Sequence, residues 1–160
     1  MKLLLINQSK DRAPRQWMQA WMKGLAGQLS RRGHKGLAKK EVVIVLVDGR
    51  EMKRLNRLYR GKDYATDILS FDTAEPTSLG EMVICLPTLR AQSKRTGLSE
   101  RGELGYMLVH GVLHLLGYDH AEAREEAIMF ALQDELYRIL EARVGLGSKP
   151  LAFLPRPSLR

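Results

Sequence analysis

Residues 41–61, EVVIVLVDGREMKRLNRLYRG, decide the architecture. Val42, Val43, Ile44, Val45 and Val47 make Glu41 to Val47 a β-branched strand that is apolar on both faces, as a buried strand must be. Asp48 follows where a helix needs its first amides satisfied, and its carboxylate predicts an N-cap. The helix runs through Met52, Leu55 and Leu58, and Gly61 closes it. A buried strand passing straight into a helix belongs to a sheet covered by helices.

The flanking sequence repeats this alternation. Upstream, Lys2 to Ile6 reads as a short strand. An amphipathic helix begins at Pro14, with Trp17, Trp21, Leu25 and Leu29 spaced by four and Met18 and Met22 beside them. A stripe at that spacing is a core face rather than a base-stacking surface. Gly33 and Gly36 end the helix in a basic loop. Downstream, Ile68 to Phe71 and Glu81 to Leu86 read as two strands joined by a loop carrying Pro76 and Gly80. Pro87 suits the first turn of a helix ending at Gly97. Ser99 and Glu103 frame the next helix, one residue too far apart for a capping box, and it extends to Leu116. That helix is apolar nearly all round (Leu104, Met107, Leu108, Val109, Val112, Leu113), so it must be central. A last helix from about Ala121 carries Ile128, Leu132, Leu136 and Ile139. The expected fold class is α/β (α+β): a small mixed sheet of about four strands under helices. Residues 1–145 form one domain, and the proline-bearing stretch 146–160 is an extended tail.

Composition sets the outer bounds. The chain has 160 residues, 44% hydrophobic and 28% charged, which suits one globular core and excludes a disulfide scaffold or global disorder. Its one cysteine, Cys85, lies in an apolar strand and reads as inert core, so a reducing cytoplasm is the expected location. Leu3 to Ile6 is too short for a signal core or a membrane span. Oligomeric state has no signature in the sequence. The net charge of +8 is unevenly placed: residues 1–40 hold ten Lys/Arg against Asp11 alone. Such an asymmetry suits a polyanionic partner, and equally a solvated basic helix face. His34, in the basic loop, is expected to be exposed and unrelated to any metal.

The remaining three histidines form H-x-x-x-H-x-x-G-x-x-H: His110, His114, Gly117 and His120. Positions four apart on a helix share one face, about 6 Å apart along the axis, a spacing that suits two imidazoles on one zinc ion. Gly117 can turn left-handed, letting the chain fold back and bring His120 in as a third ligand. Three imidazoles leave a fourth position for water, as catalytic zinc sites do. Each histidine alone would read as a hydrogen-bonded core residue; together, in so apolar a helix, they need the metal as a reason. Metzincin-type proteases of this spacing carry Glu as general base directly after the first His, where Gly111 stands here, which demotes a metalloprotease reading. Zinc can activate water without that base, and a phosphodiester needs cations around it. Asp119 is either an orienting carboxylate for a ligand or a turn former.

These residues resemble the YbeY family of bacterial endoribonucleases and rRNA-maturation factors. The segment His110-Gly111, Leu113-His114-Leu115 and Gly117-Tyr118-Asp119-His120 carries the family signature. Asn56, Tyr59-Arg60-Gly61-Lys62-Asp63, Thr66-Asp67, Leu69-Ser70-Phe71, and Met129, Phe130 and Gln133 are similar to further family segments. The resemblance spans roughly residues 40–140. It implies a zinc-dependent hydrolase of single-stranded RNA, acting in 3′ processing of small-subunit rRNA and in ribosome quality control, with the ribosomal small subunit as partner. His110, His114 and His120 carry over as ligands of one Zn2+. Arg60 carries over as a catalytic contact to the scissile phosphate, set against a plain role complementing the helix dipole. Two places depart from the family: Gly80-Glu81 stands for Gly-Asp, and Ser70-Phe71-Asp72 for Ser-Phe-Pro. A zinc-stabilised ribosome-assembly factor that binds RNA without cutting it is the alternative of another class.

Overall fold

The computed structural model describes residues 1–145; the tail expected at 146–160 lies outside the described residues. The strands are β1 (Lys2–Asn7), β2 (Glu41–Val47), β3 (Ile68–Phe71) and β4 (Ser78–Cys85). The α-helices are α1 (Arg15–Arg31), α2 (Gly49–Arg60), α3 (Leu86–Thr96), α4 (Glu100–Leu115) and α5 (Ala123–Val144), and a 3-10 turn at Leu37–Lys39 precedes β2. The four strands form one sheet in the order β1-β2-β4-β3. β1, β2 and β4 run parallel, and β3 pairs antiparallel with β4 at the edge. The mixed sheet under helices expected from the sequence is the fold observed.

Residue alternation along β2 explains how the sheet is covered. Val42, Ile44 and Leu46 face a large core with Trp21, Met22 and Leu25 of α1, Leu108 and Val112 of α4, and Leu136 of α5. Val45 and Val47 face a small cluster with Met52 of α2, Val83 and Cys85. A fully buried side chain of this size contributes about 1.5–3 kcal/mol, so the first face holds most of the hydrophobic stabilisation. α4 lies in that large core, and the expectation of a central buried helix holds.

Several boundaries and faces differ from the expectation. β4 starts at Ser78, so Gly80 is a strand residue and not part of the loop. A register irregularity falls here: Glu41 pairs with Ser78 but Val42 with Gly80. Gly80 has φ +131°, and a Cβ on it would lie 2.4 Å from the Phe71 carbonyl oxygen, so only glycine permits this approach of β3 to β4. Leu86 opens α3 and does not end the strand. In α2, Leu58 of the expected apolar stripe is 64% exposed, and the buried residues are Met52 and Asn56. In α5, Ile128 is exposed, because the buried face is Met129, Gln133, Leu136 and Leu140, one residue round from the expected stripe.

The caps follow the local chemistry. Asp48 accepts the Glu51 amide at 2.9 Å at the start of α2, and Ser99 accepts the Gly102 amide at 3.0 Å at the start of α4. Gly61 and Gly97 end α2 and α3 in the left-handed conformation.

Candidate metal centre

The end of α4 builds the site. Gly117, at φ +90°, donates its amide to the His114 carbonyl at 2.9 Å, and Tyr118 donates to Leu113 at 3.0 Å. These two bonds make a Schellman motif, which reverses the chain and returns His120 toward the helix. Asp119 accepts the amide of His120 at 2.7 Å, so its carboxylate shapes the turn.

The three histidines meet. Their ligand atoms all lie within 4.8 Å of one another and could hold a metal ion. Nε2 of His110 and Nε2 of His114 are 3.0 Å apart. Two nitrogens at about 2.0–2.1 Å from one tetrahedral ion would be separated by about 3.3–3.4 Å, so the pair is near ligand spacing. Phe130 stacks on the rings of both His110 and His120, with centroids 6.1 Å away in each case.

Hydrogen bonding fixes the tautomer of His110. Gln133 is fully buried; its Nε2 donates to the Tyr106 carbonyl at 3.3 Å, which turns its Oε1 toward Nδ1 of His110 at 2.9 Å. A carbonyl only accepts, so Nδ1 carries the proton and Nε2 keeps its lone pair. That lone pair points at Nε2 of His114, where a shared cation would satisfy it. Burial pushes His110 down from 6.5 to about 4, so the ring is neutral at physiological pH, the form that binds metal. His114 is also lowered, chiefly by burial and then by the charge of His120.

Gln133 is the functional residue that spacing alone did not single out for a role. Its signal was a polar residue on the buried face of an apolar helix, which requires a partner.

A cleft of about 670 Å³ opens over the histidines. Arg60, at the exposed C-terminus of α2, lines it with Tyr64, Asp67, Arg95, Asp119 and Asp72. The Arg60 charge reaches the histidines, being one cause that lowers His114. No carboxylate pairs with Arg60 among the described residues. Asp67 is buried and tied down: it accepts the Ile68 amide at 2.8 Å and the Gln92 amide group at 3.0 Å.

The expectation of an exposed His34 is corrected here. His34 is half-buried and bonds the Tyr118 hydroxyl at 3.1 Å, because the loop after α1 folds against the turn between His114 and His120. The basic first quarter does not line the cleft, whose charged side chains among the described residues are two arginines against three aspartates. Glu81, the departure from Gly-Asp, is exposed on β4 and outside the cleft lining. Gly111 faces the sheet: a Cβ there would lie 2.3 Å from Sδ of Met82 and 2.7 Å from Cδ1 of Ile68, so the glutamate of a protease has no room. Cys85 is buried, with the Thr88 hydroxyl 3.2 Å from its sulfur. No helix among the described residues is long and apolar enough to cross a membrane.

Comparison with known proteins agrees with this geometry. The family model described as Endoribonuclease YbeY matches residues 5–141. An Endoribonuclease YbeY of Bdellovibrio bacteriovorus is 46% identical over 148 residues, covering 91% of this chain and 99% of that protein. One from Bordetella parapertussis is 37% identical over 141 residues, covering 86% and 85%. A solution structure of a Thermotoga maritima protein superimposes with a TM-score of 0.64 at 25% identity, covering 88% of this chain and 89% of that one.

Proposed function

This chain belongs to the YbeY endoribonuclease family, and on that premise we propose that it is a zinc-dependent enzyme cleaving single-stranded RNA. Its role is 3′ maturation of small-subunit ribosomal RNA and ribosome quality control in the cytoplasm, with residues 1–145 as the hydrolase domain.

The observation that carries the reading is the convergence of His110, His114 and His120 in a cleft that also presents Arg60. His110, His114 and His120 would hold the ion, with Gln133 orienting His110 through Nδ1. When bound, zinc supplies Lewis acidity and activates water near neutral pH. The cleft's described side chains sum to slight negative charge, which would repel a phosphodiester, and a divalent cation held by the histidines would reverse that sign. Arg60 then binds the phosphate, because guanidinium matches two phosphoryl oxygens at once and remains charged throughout. Its place at an exposed helix end leaves the fork unengaged until substrate arrives. Phe130 excludes water from one side of the histidine rings.

The test is metal content and cleavage of a defined single-stranded RNA by highly purified protein beside His114→Ala. The variant is expected to lose stoichiometric zinc and cleavage together. Cleavage persisting in zinc-free variant protein would remove the mechanism, and zinc bound without any turnover in the parent would favour the assembly factor.

A further inference from the structure

The positive charge of the first quarter is not in the cleft, and the structure offers another place for part of it. A second groove, of about 880 Å³, lies where the turn into α1 meets α3 and α4. Its lining includes Arg12, Arg15 and Trp17, then Arg90 of α3, and Glu100 and Arg101 of α4. Among the described residues of that lining Glu100 is the one acid, and it is already engaged by Arg90 at 3.1 Å. Arg90 also holds Asp11 at 2.8 Å. Arg12 and Arg101 are exposed and meet no carboxylate among the described residues, while Arg15 reaches only the Leu5 carbonyl, at 3.4 Å. Three guanidinium groups therefore stand around one groove with no carboxylate partner among the described residues.

We propose that this groove is an accessory binding site for the phosphate backbone of single-stranded RNA, separate from the cleft. The proposal rests on the reading of RNA as the substrate.

Two features favour RNA as the occupant. Guanidinium forks match phosphate oxygens, and three of them without acids make a field complementary to a polyanion. Trp17 packs against the core but is only half-buried, and its accessible part, with half-buried Leu86, gives the lining an apolar surface for unpaired bases. The Trp17 indole N–H bonds the Gly145 carbonyl at 3.3 Å, which holds the ring at the groove.

The position of the groove suits a strand that also enters the cleft. Thr88, Gln92 and Arg95 of α3 line the cleft, at i, i+4 and i+7 on one face. Leu86, Leu89 and Arg90 line the groove from the other side of the same helix. One helix, about 10–12 Å across with its side chains, thus separates the two sites. A short oligonucleotide fills the cleft alone, and a longer one reaches both.

The experiment compares full-length protein with the triple variant Arg12→Ala, Arg15→Ala, Arg101→Ala on two RNAs, a hexanucleotide and an unstructured strand of about 30 nucleotides. All three side chains are exposed, so the thermal midpoint serves as the check on folding. Affinity for the long strand is expected to fall about tenfold or more at low salt. The slope of log affinity against log salt is expected to shrink by about 2, from three lost phosphate contacts at about 0.7 each. Hexanucleotide cleavage is expected to stay within about twofold. Ultraviolet cross-linking of the long RNA to the unaltered protein is expected to label the peptide holding Trp17.

An unchanged salt slope would overturn the proposal, as would equal losses on both RNAs or cross-links confined to the cleft. Displacement of the long RNA by polyglutamate at matched charge would overturn it in favour of an acidic protein partner. Hexanucleotide cleavage reports the cleft alone, so its absence, with length-dependent binding retained, removes the catalytic reading and leaves this one standing.

Discussion

α4 and α2 bring different chemistry to one cleft, and they are packed in opposite ways. Eleven of the sixteen residues of α4 are buried, including His110, whereas α2 buries only Met52 and Asn56 of its twelve. α4 is pressed against its neighbours at glycines: a Cβ on Gly105 would meet the Trp21 ring at 2.7 Å, and one on Gly111 would meet Met82. α2 ends in exposed Leu58, Tyr59 and Arg60. On the proposed roles of the histidines and Arg60, the difference matches what each contact requires. Metal ligands must hold positions to a few tenths of an ångström, which needs rotamers locked by packing. A phosphate contact tolerates a mobile cation that closes on arriving substrate, and exposure allows that motion.

The comparison breaks most sharply under acid. His110 titrates near 6.5 unfolded but near 4 in the fold, because burial disfavours the charged ring. Between those values the unfolded chain binds the extra proton, so stability of metal-free protein is fully present above pH 6.5 and is lost as pH falls toward 4. The full loss from this group is about 3 kcal/mol, and His114 adds to it with the same sign. Glu103, whose carboxyl burial pushes up, works in the opposite sense. Urea unfolding across this range, on metal-free wild type and His110→Gln, isolates the contribution as the difference between the two pH profiles. Parallel profiles would contradict the buried neutral imidazole.

A methyl group in the tightest contact of α4 is the next largest effect. Gly111→Ala gains up to about 1 kcal/mol of helix propensity but forces Met82 and Ile68 apart, both buried, at a cost of about 1–3 kcal/mol. A net loss of about 1–2 kcal/mol in chemical denaturation is expected, with weakened metal binding by isothermal titration.

α2 should behave as its exposure dictates. Arg60→Ala is expected to lower kcat/KM on RNA about tenfold or more while the thermal midpoint moves by about a degree or less, since the side chain is exposed. An equal fall in stability would place Arg60 among structural residues. Smallest is Leu58→Ser, expected to change unfolding free energy by about 0.5 kcal/mol or less because Leu58 is 64% exposed.

Much of this was legible from local chemistry. Asp48, Ser99 and Gly61 announce their caps because capping is decided within one helical turn. Val42 to Val47 announces a covered strand because no polar residue interrupts it. The histidine trio was legible because both i, i+4 spacing and the Gly117 turn are local. The faces of α2 and α5 were less so: Leu58 and Ile128 are apolar yet exposed, since which stripe is buried depends on what packs against it. Gly80 shows the same limit, being required by the Phe71 carbonyl of a neighbouring strand.

By itself the sequence determined the alternation of strands and helices, their caps, and three imidazoles able to share one face, because each follows from residues within a turn or two. Only the tertiary structure decided that Gln133 of α5 fixes the tautomer of His110, that Arg60 reaches the same cleft, and that Arg12 and Arg15 line a separate groove. Those outcomes depend on how distant helices are laid across one sheet, and the packing of the core, not any local preference, sets that arrangement.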